Sequence, residues 1–365
     1  MTKLNINYVY IIFFIIFFWS CNKRQEEKIE SENKITFDIT KANDLDLANA
    51  KHLKKRIIEL SPDSIIIPAY TNLLINKDEF ILYSQKTYQI FRFDSEGNFI
   101  NFIGKRGGGP NEFTEMRDVI LNNNTIEILD YNAILRYQLN GEFIEKINII
   151  YPAFSFAKEN KNYWFYVGNN PTFSKFKLVE ADTSFLKVNE FFPIDEKGIP
   201  LIENNFGKNY YITFRESLSP NLYRLNKKLE NSYYIDFGKF KIPDAITSSD
   251  PMNMNEKLDK IEYAIIREYM ENTNYIFLLI FKYEPNTMMP QLFYWIINKK
   301  NKEERIIRVK DFVEESYLLF PQRISNNDTI YFTGYDIGNE NEQVDQNSNP
   351  SIIEIKIEDL FNYGI

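Results

Sequence analysis

The chain has 365 residues, and 51 Asp+Glu against 43 Lys+Arg give a net charge of −8. With no basic cluster, that balance disfavours a phosphate backbone as the main ligand. His52 and Cys21 are the only histidine and cysteine, which excludes an intramolecular disulfide and a multi-His or His-Cys metal centre and argues against a Ser-His-Asp triad.

Residues 1–20 read as a signal peptide. Lys3 supplies a positive start, residues 8–19 form an unbroken apolar run, and Ser20 precedes Cys21. The run is shorter than the roughly 20 residues a spanning helix needs. Phe18-Trp19-Ser20-Cys21 resembles a bacterial lipobox with Phe18 in place of the usual Leu. That resemblance implies cleavage and lipidation at Cys21; a plain secretory signal with an incidental cysteine is the alternative. Residues 21–33, polar and without apolar period, then form a flexible tether from a membrane. Asn22 rather than Asp follows the cysteine, so the inner-membrane retention signal of enteric bacteria is absent. The Glu26-Glu27 pair is similar to acidic export signals of Bacteroidetes surface lipoproteins, and equally to a solvated charge cluster.

Residues 34–365 make the folded body. Residues 35–39 and 56–60 are strand candidates, and 44–55 reads as helical or irregular. One of these N-terminal strands is expected to complete the last blade of a closed ring, because an open ring leaves strand edges bare. Ile90-Phe91-Arg92-Phe93-Asp94-Ser95-Glu96-Gly97-Asn98-Phe99-Ile100 returns 44 residues later as Ile134-Leu135-Arg136-Tyr137-Gln138-Leu139-Asn140-Gly141-Glu142-Phe143-Ile144. A strand–turn–strand repeat of this period is a propeller blade.

The period predicts blades over residues 66–104, 118–149, 153–192 and 210–237. The third copy of the phrase is degenerate; in the fourth, Lys227 and Leu229 replace the glycine and phenylalanine. After a polar insertion at 243–260, with Leu258, Ile261 and Ile265 at helical spacing, a fifth blade uses 275–283, 291–298 and 305–309. A sixth uses 328–334 and 351–357. The expected fold is all-β, a six-bladed β-propeller, with seven blades as the alternative.

Residues 93–113 read Phe93-Asp94-x-x-Gly97-x-Phe99, then Ile103-Gly104-x-x-Gly107-x-Gly109-Pro110-x-Glu112-Phe113. The pattern resembles the six-bladed β-propeller lipoproteins of Bacteroidetes, which are similar to NHL-repeat propellers, with Asn111 where their loop has a second glycine. The resemblance implies fold and address, an outer-membrane lipoprotein at the periplasmic face or cell surface. It implies no activity.

Gly107, Gly108 and Gly109 let the backbone turn tightly and Pro110 fixes the exit. The loop joins an outer strand to the next inner strand, at the mouth of the central channel. No helix start or Gly-Lys-Ser/Thr follows it, so it reads as a structural turn rather than a phosphate cradle, with Glu112 accepting N–H bonds inside it. Arg106 and Arg117 flank it, so the candidate binding residues are Arg106, Gly107, Gly108, Gly109, Glu112 and Arg117.

No Gly-x-Ser-x-Gly elbow occurs. The one enzymatic route left is a carboxylate pair of glycosidase type, with Asp118, Asp130 and Glu216 as candidates against the commoner role of turn or cap. Residues 336–342 are acidic but lack the EF-hand ligand order. The aromatic runs at Tyr163-Trp164-Phe165-Tyr166 and Trp295 fit inter-blade packing better than sugar stacking. No cofactor, metal or catalytic residue is expected. The expected function is a membrane-anchored binding or interaction module for a glycan, peptide or envelope protein, with no nucleic acid. The alternatives are a carboxylate-dependent carbohydrate-active enzyme and a structural subunit of an envelope complex.

Overall fold

A computed structural model of the chain describes residues 33–45, 54–60, 65–68, 71–168, 174–194, 206–208, 211–226, 228–247, 251–287, 289–309, 317–336 and 349–362. Cys21, His52, Lys227 and residues 337–342 of the acidic loop lie outside these. Ile35–Ile365 forms one compact unit.

Three short N-terminal strands come first: β1 (Lys34–Thr36), β2 (Ala42–Leu45) and β3 (Lys55–Glu59). Blade 1 holds β4 (Asn72–Asn76), β5 (Glu79–Ser84), β6 (Gln89–Phe93) and β7 (Phe99–Phe102). Blade 2 holds β8 (Asp118–Asn122), β9 (Thr125–Asp130), β10 (Ala133–Gln138) and β11 (Phe143–Asn148). Blade 3 holds β12 (Ser155–Glu159), β13 (Asn162–Tyr166), β14 (Phe176–Ala181) and β15 (Lys187–Pro193).

Blade 4 is β16 (Phe206–Lys208), β17 (Ile212–Arg215), β18 (Asn221–Asn226) and β19 (Lys228–Asp236). Blade 5 is β20 (Tyr263–Glu271), β21 (Tyr275–Tyr283), β22 (Gln291–Asn298) and β23 (Glu304–Val309). Blade 6 is β24 (Tyr317–Ile324), β25 (Thr329–Asp336) and β26 (Ser351–Lys356). The outermost strand of blade 6 is β3, paired antiparallel with β26, so the N-terminus closes the ring as the sequence predicts.

The six sheets make an all-β, six-bladed propeller. Its innermost strands β4, β8, β12, β16, β20 and β24 touch in succession, and β24 returns to β4. Six apolar clusters, each shared by two adjacent blades, fill the interfaces between them. A single blade has two apolar faces, and only a neighbour on each side removes both from water. Tyr163, Trp164, Phe165, Tyr166 and Trp295 are all buried in these clusters, so packing is what the aromatic runs serve.

The remaining N-terminal strands extend other blades. Strand β1 lies beside β19 at the outer edge of blade 4, and β2 runs parallel to β23 at the edge of blade 5, with Ala42 opposite Ile306. The stretch expected as strand to residue 39 thus ends early, in a 3-10 turn at Ile39–Lys41 capped by the Asp38 carboxylate. Asp44 and Leu45 end a strand rather than begin a helix, because the open edge of β23 offers backbone partners. The polar insertion carries two helices rather than one turn, α1 (Asp244–Thr247) and α2 (Pro251–Leu258). Met254 and Leu258 of α2 pack on Ile242, while Ile265 belongs to β20.

Candidate functional site

The glycine-rich loop runs from the outer strand β7 to the inner strand β8. Glu112 organises it. Its Oε2 accepts the Gly109 N–H at 2.9 Å, and Lys105 Nζ lies 3.1 Å from its Oε1. The Gly109 N–H and then Lys105 hold the Glu112 carboxyl below its ordinary pKa. A Cβ on Gly107 would meet Glu112 Oε2 at 1.9 Å and one on Gly109 at 3.1 Å, whereas one on Gly108 would meet nothing within 4 Å. Two of the three glycines therefore make room for the carboxylate, and the third is open.

Backbone bonds Gly107 N–H to Phe113 O (2.9 Å) and Phe113 N–H to Lys105 O (3.1 Å) fold the loop on itself. Tyr137 of blade 2 donates its hydroxyl to Asn111 O at 2.9 Å. Asp130 accepts from the N–H groups of Thr114 (3.1 Å) and Glu115 (3.0 Å) and from the Thr114 hydroxyl (2.9 Å), fixing the exit.

The two flanking arginines differ. Arg106 is exposed, lies 4.2 Å over the Tyr88 ring and donates to Thr114 O at 3.4 Å. Arg117 is wedged in: its guanidinium stands 4.5 Å over Tyr131 and 5.3 Å over Phe154, and it donates to Ala153 O at 3.1 Å. Gln85 of the β5–β6 loop donates to Arg117 O. The β5–β6 and β9–β10 turns and the glycine loop thus share one end of the ring. Tyr131 and Ile150 there are exposed, at 42% and 75%.

The carboxylates proposed for acid–base work are engaged by blade architecture. Asp118 Oδ2 accepts the Phe156 N–H at 2.9 Å and Oδ1 the Val119 N–H at 2.8 Å, with the Tyr83 hydroxyl at 3.4 Å. It ties the inner strands of blades 2 and 3 to each other and to β5 of blade 1. Burial and then Asp118 raise the Tyr83 phenol well above its usual pKa. Glu216 is ion-paired with Lys177 at 2.6 Å, and Asp130 serves the loop. Among the described residues no group of three or more His, Cys, Asp or Glu is arranged to hold a metal.

Sequence reading missed one polar group on an innermost strand, Arg323 on β24. Its strand was not recognised because Pro321 interrupts the apolar run, and a proline inside a strand argues against an inner position. The structure accommodates it with a bulge between Pro321 and Arg323.

Among the described residues no helix is long and apolar enough to cross a membrane. No functionally curated protein matches the chain. Among solved structures, a Bacteroides fragilis protein assigned as exported superposes with a TM-score of 0.69 at 14% identity, covering 88% of this chain and 99% of that one. A DUF4221 member from Bacteroides vulgatus gives a TM-score of 0.49 at 12% identity, covering 83% and 96%. The first likeness shows the shared propeller fold. Residues 56–360 match the family described as Domain of unknown function (DUF4934), and the chain belongs to that family.

Proposed function

We propose that this protein is an exported, lipid-anchored binding module whose ligand face is the end of the ring that carries the glycine-rich loop. The observation that carries the reading is the patch at that end. A loop stiffened by Glu112 presents Arg106 beside Tyr88, at the end of the ring that also carries exposed Tyr131 and Ile150. Arginine and tyrosine on a rigid support dominate the energetics of recognition surfaces, because they offer large contact area with little entropy lost on binding. The engagement of Asp118, Asp130 and Glu216 in backbone and ion-pair contacts favours binding over carboxylate catalysis.

The address follows from the leader. Residues 1–20 act as signal peptide, Cys21 takes the lipid, and residues 22–33 tether the propeller to the outer membrane at its periplasmic face or the cell surface. Ligand screening of residues 34–365, which carry every strand of the six sheets, against glycans, peptides and envelope proteins tests the binding reading. Capture that is lost in Arg106→Ala at unchanged melting temperature supports it; capture indifferent to the patch refutes the face. Fatty-acid labelling of wild type and Cys21→Ala tests the anchor, and equal label in both would sink it.

A further inference from the structure

The innermost strand of blade 6 carries a cation without a counter-ion. Arg323 sits at the bulge of β24. That strand is held in place by Gln322, whose Oε1 accepts the Leu73 N–H of β4 at 3.2 Å and whose Nε2 donates to Thr333 at 3.1 Å. Among the described residues, no hydrogen bond or ion pair reaches the Arg323 guanidinium. Part of its surface is accessible, yet the surrounding protein is dense enough that burial pushes its pKa down to about 10. An arginine stays protonated there at neutral pH, and an enclosed charge is unfavourable until something pairs with it.

The neighbouring groups do not fill that role. Tyr83 is the titratable side chain that acts on Arg323, and its hydroxyl is turned to Asp118. Asp118 itself is taken by the N–H groups of Val119 and Phe156. Among the buried acids of the ring, Glu127 pairs with Arg136 and Glu271 with Arg224 and Lys299, while Glu180 accepts from the Asn162 and Asn189 amides. Arg323 has no such partner among the described residues.

We propose that the central channel binds a small oxyanion, a carboxylate or a phosphate, and that Arg323 is the residue that pairs with it. The proposal rests on the reading of the propeller as a binding module and names the chemistry its channel accepts. The planar fork of a guanidinium matches two oxygens of such a group. The strand of Arg323 is one of the six innermost strands that touch in succession around the ring. The fixed negative charge of Asp118 beyond Tyr83 favours a ligand whose charge is gathered at one end.

The test is titration of the detergent-solubilised full chain with succinate, citrate and inorganic phosphate, together with thermal unfolding, for wild type, Arg323→Lys and Arg323→Gln. At least one of the three anions is expected to bind wild type at a single site, about ten-fold more weakly when the fork is replaced by lysine, and not measurably in the glutamine variant. Without anion, Arg323→Gln is expected to melt no lower than wild type, since the charge removed had no partner. An arginine paired by an acid of the chain itself would leave that acid orphaned, and the variant would melt lower. Failure of all three anions to bind wild type, equal binding to Arg323→Gln, or a lower anion-free melting temperature in that variant overturns the proposal. Capture of a glycan or protein at the loop face equally by wild type and Arg323→Gln would leave the binding module standing, so the two readings fail separately.

Discussion

Gly97 and Gly141 make the same contact one blade apart: each presses its α-carbon against the backbone of the outermost strand of the preceding blade. A Cβ on Gly97 would lie 2.4 Å from Glu59 O of β3, and one on Gly141 would lie 2.8 Å from Phe102 O of β7. Both have positive φ, +85° and +92°. The repeated glycine therefore serves two purposes, reversing the hairpin and letting adjacent blades meet. In blade 1 that contact falls on the strand that closes the ring.

Replacing Gly97 by alanine combines a left-handed backbone with a clash against backbone that has no rotamer to change. A cost of at least about 2 kcal/mol follows, read as a lowered midpoint in urea unfolding. Because the clash lies at the β3 closure, hydrogen exchange in Lys55–Glu59 should rise in the variant before exchange in β9 and β10. Uniform protection across both regions would contradict the closure argument.

Phe185 stands 44 residues beyond Gly141 and takes the glycine's conformation at φ +59°. The turn around it is the one in blade 1: Asp182 Oδ1 accepts from Ser184 and Leu186 N–H as Asp94 Oδ1 does from Glu96 and Asn98 N–H. Phe185→Gly relieves the backbone by about 1 kcal/mol but removes a ring that is 6% exposed and lies 4.7 Å from Tyr163. Loss of a buried phenylalanine costs about 3 kcal/mol or more, so the variant should be less stable than wild type by about 2 kcal/mol in equilibrium unfolding.

Arg92 and Arg136, again one period apart, are each locked to a glutamate of their own blade: Arg92 to Glu79 at 2.6 Å, Arg136 to Glu127 at 3.1 Å. Glu127 is almost fully buried and also receives the Tyr163 hydroxyl and the Asn122 amide. Arg136→Ala leaves that carboxylate enclosed and unpaired, at a cost of about 3 kcal/mol or more. Glu127→Gln in the same background should recover part of the loss, and a double-mutant cycle measures the coupling. Hydrogen bonding from Arg92 holds the Glu79 carboxyl below its usual pKa. Its contribution is present above the ordinary carboxylate range and is lost as pH falls through the depressed folded value.

The second blade was legible nearly to the residue, because alternation, Gly141 and Phe143 all point to the same hairpin. The third was legible only by spacing, since a bulky residue at positive φ does not announce a turn. The fourth copy keeps its strands but not its turn length. Leu225 pairs with Leu229, four residues on, where Phe93 pairs with Phe99, six on. Glu112 was readable because glycines beside an acid imply a carboxylate that needs room and N–H donors. Arg323 was not, since nothing in Pro321-Gln322-Arg323 says that a bulge turns an inner strand around it.

Within the glycine loop, the three glycines should respond unequally to alanine. Gly108→Ala meets open space and should stay within about 0.5 kcal/mol of wild type. Gly107→Ala displaces Glu112, which can swing away only by giving up the Gly109 N–H and Lys105, so it should lower the unfolding midpoint more than Gly108→Ala does. In a Glu112→Ala background the Gly107→Ala effect should nearly vanish. Equal effects in both backgrounds would show that the glycine serves the backbone alone.

Alkaline unfolding should be set by buried tyrosines. Burial, then Glu271, pushes Tyr233 up to about 12, and burial, then Tyr283, does the same for Tyr263, while Tyr83 and Tyr269 are raised further. In the unfolded chain these phenols ionise near about 10. Between the two values the folded protein holds protons that the unfolded chain releases, so stability falls as pH rises. The stabilisation is complete below about 10 and is lost as pH climbs through 12 and beyond. Phenolate absorbance should therefore show two populations, exposed tyrosines titrating normally and a buried group appearing together with loss of the near-ultraviolet dichroism of the folded blades. A single smooth titration of all tyrosines with the fold intact would contradict the inter-blade packing that encloses them.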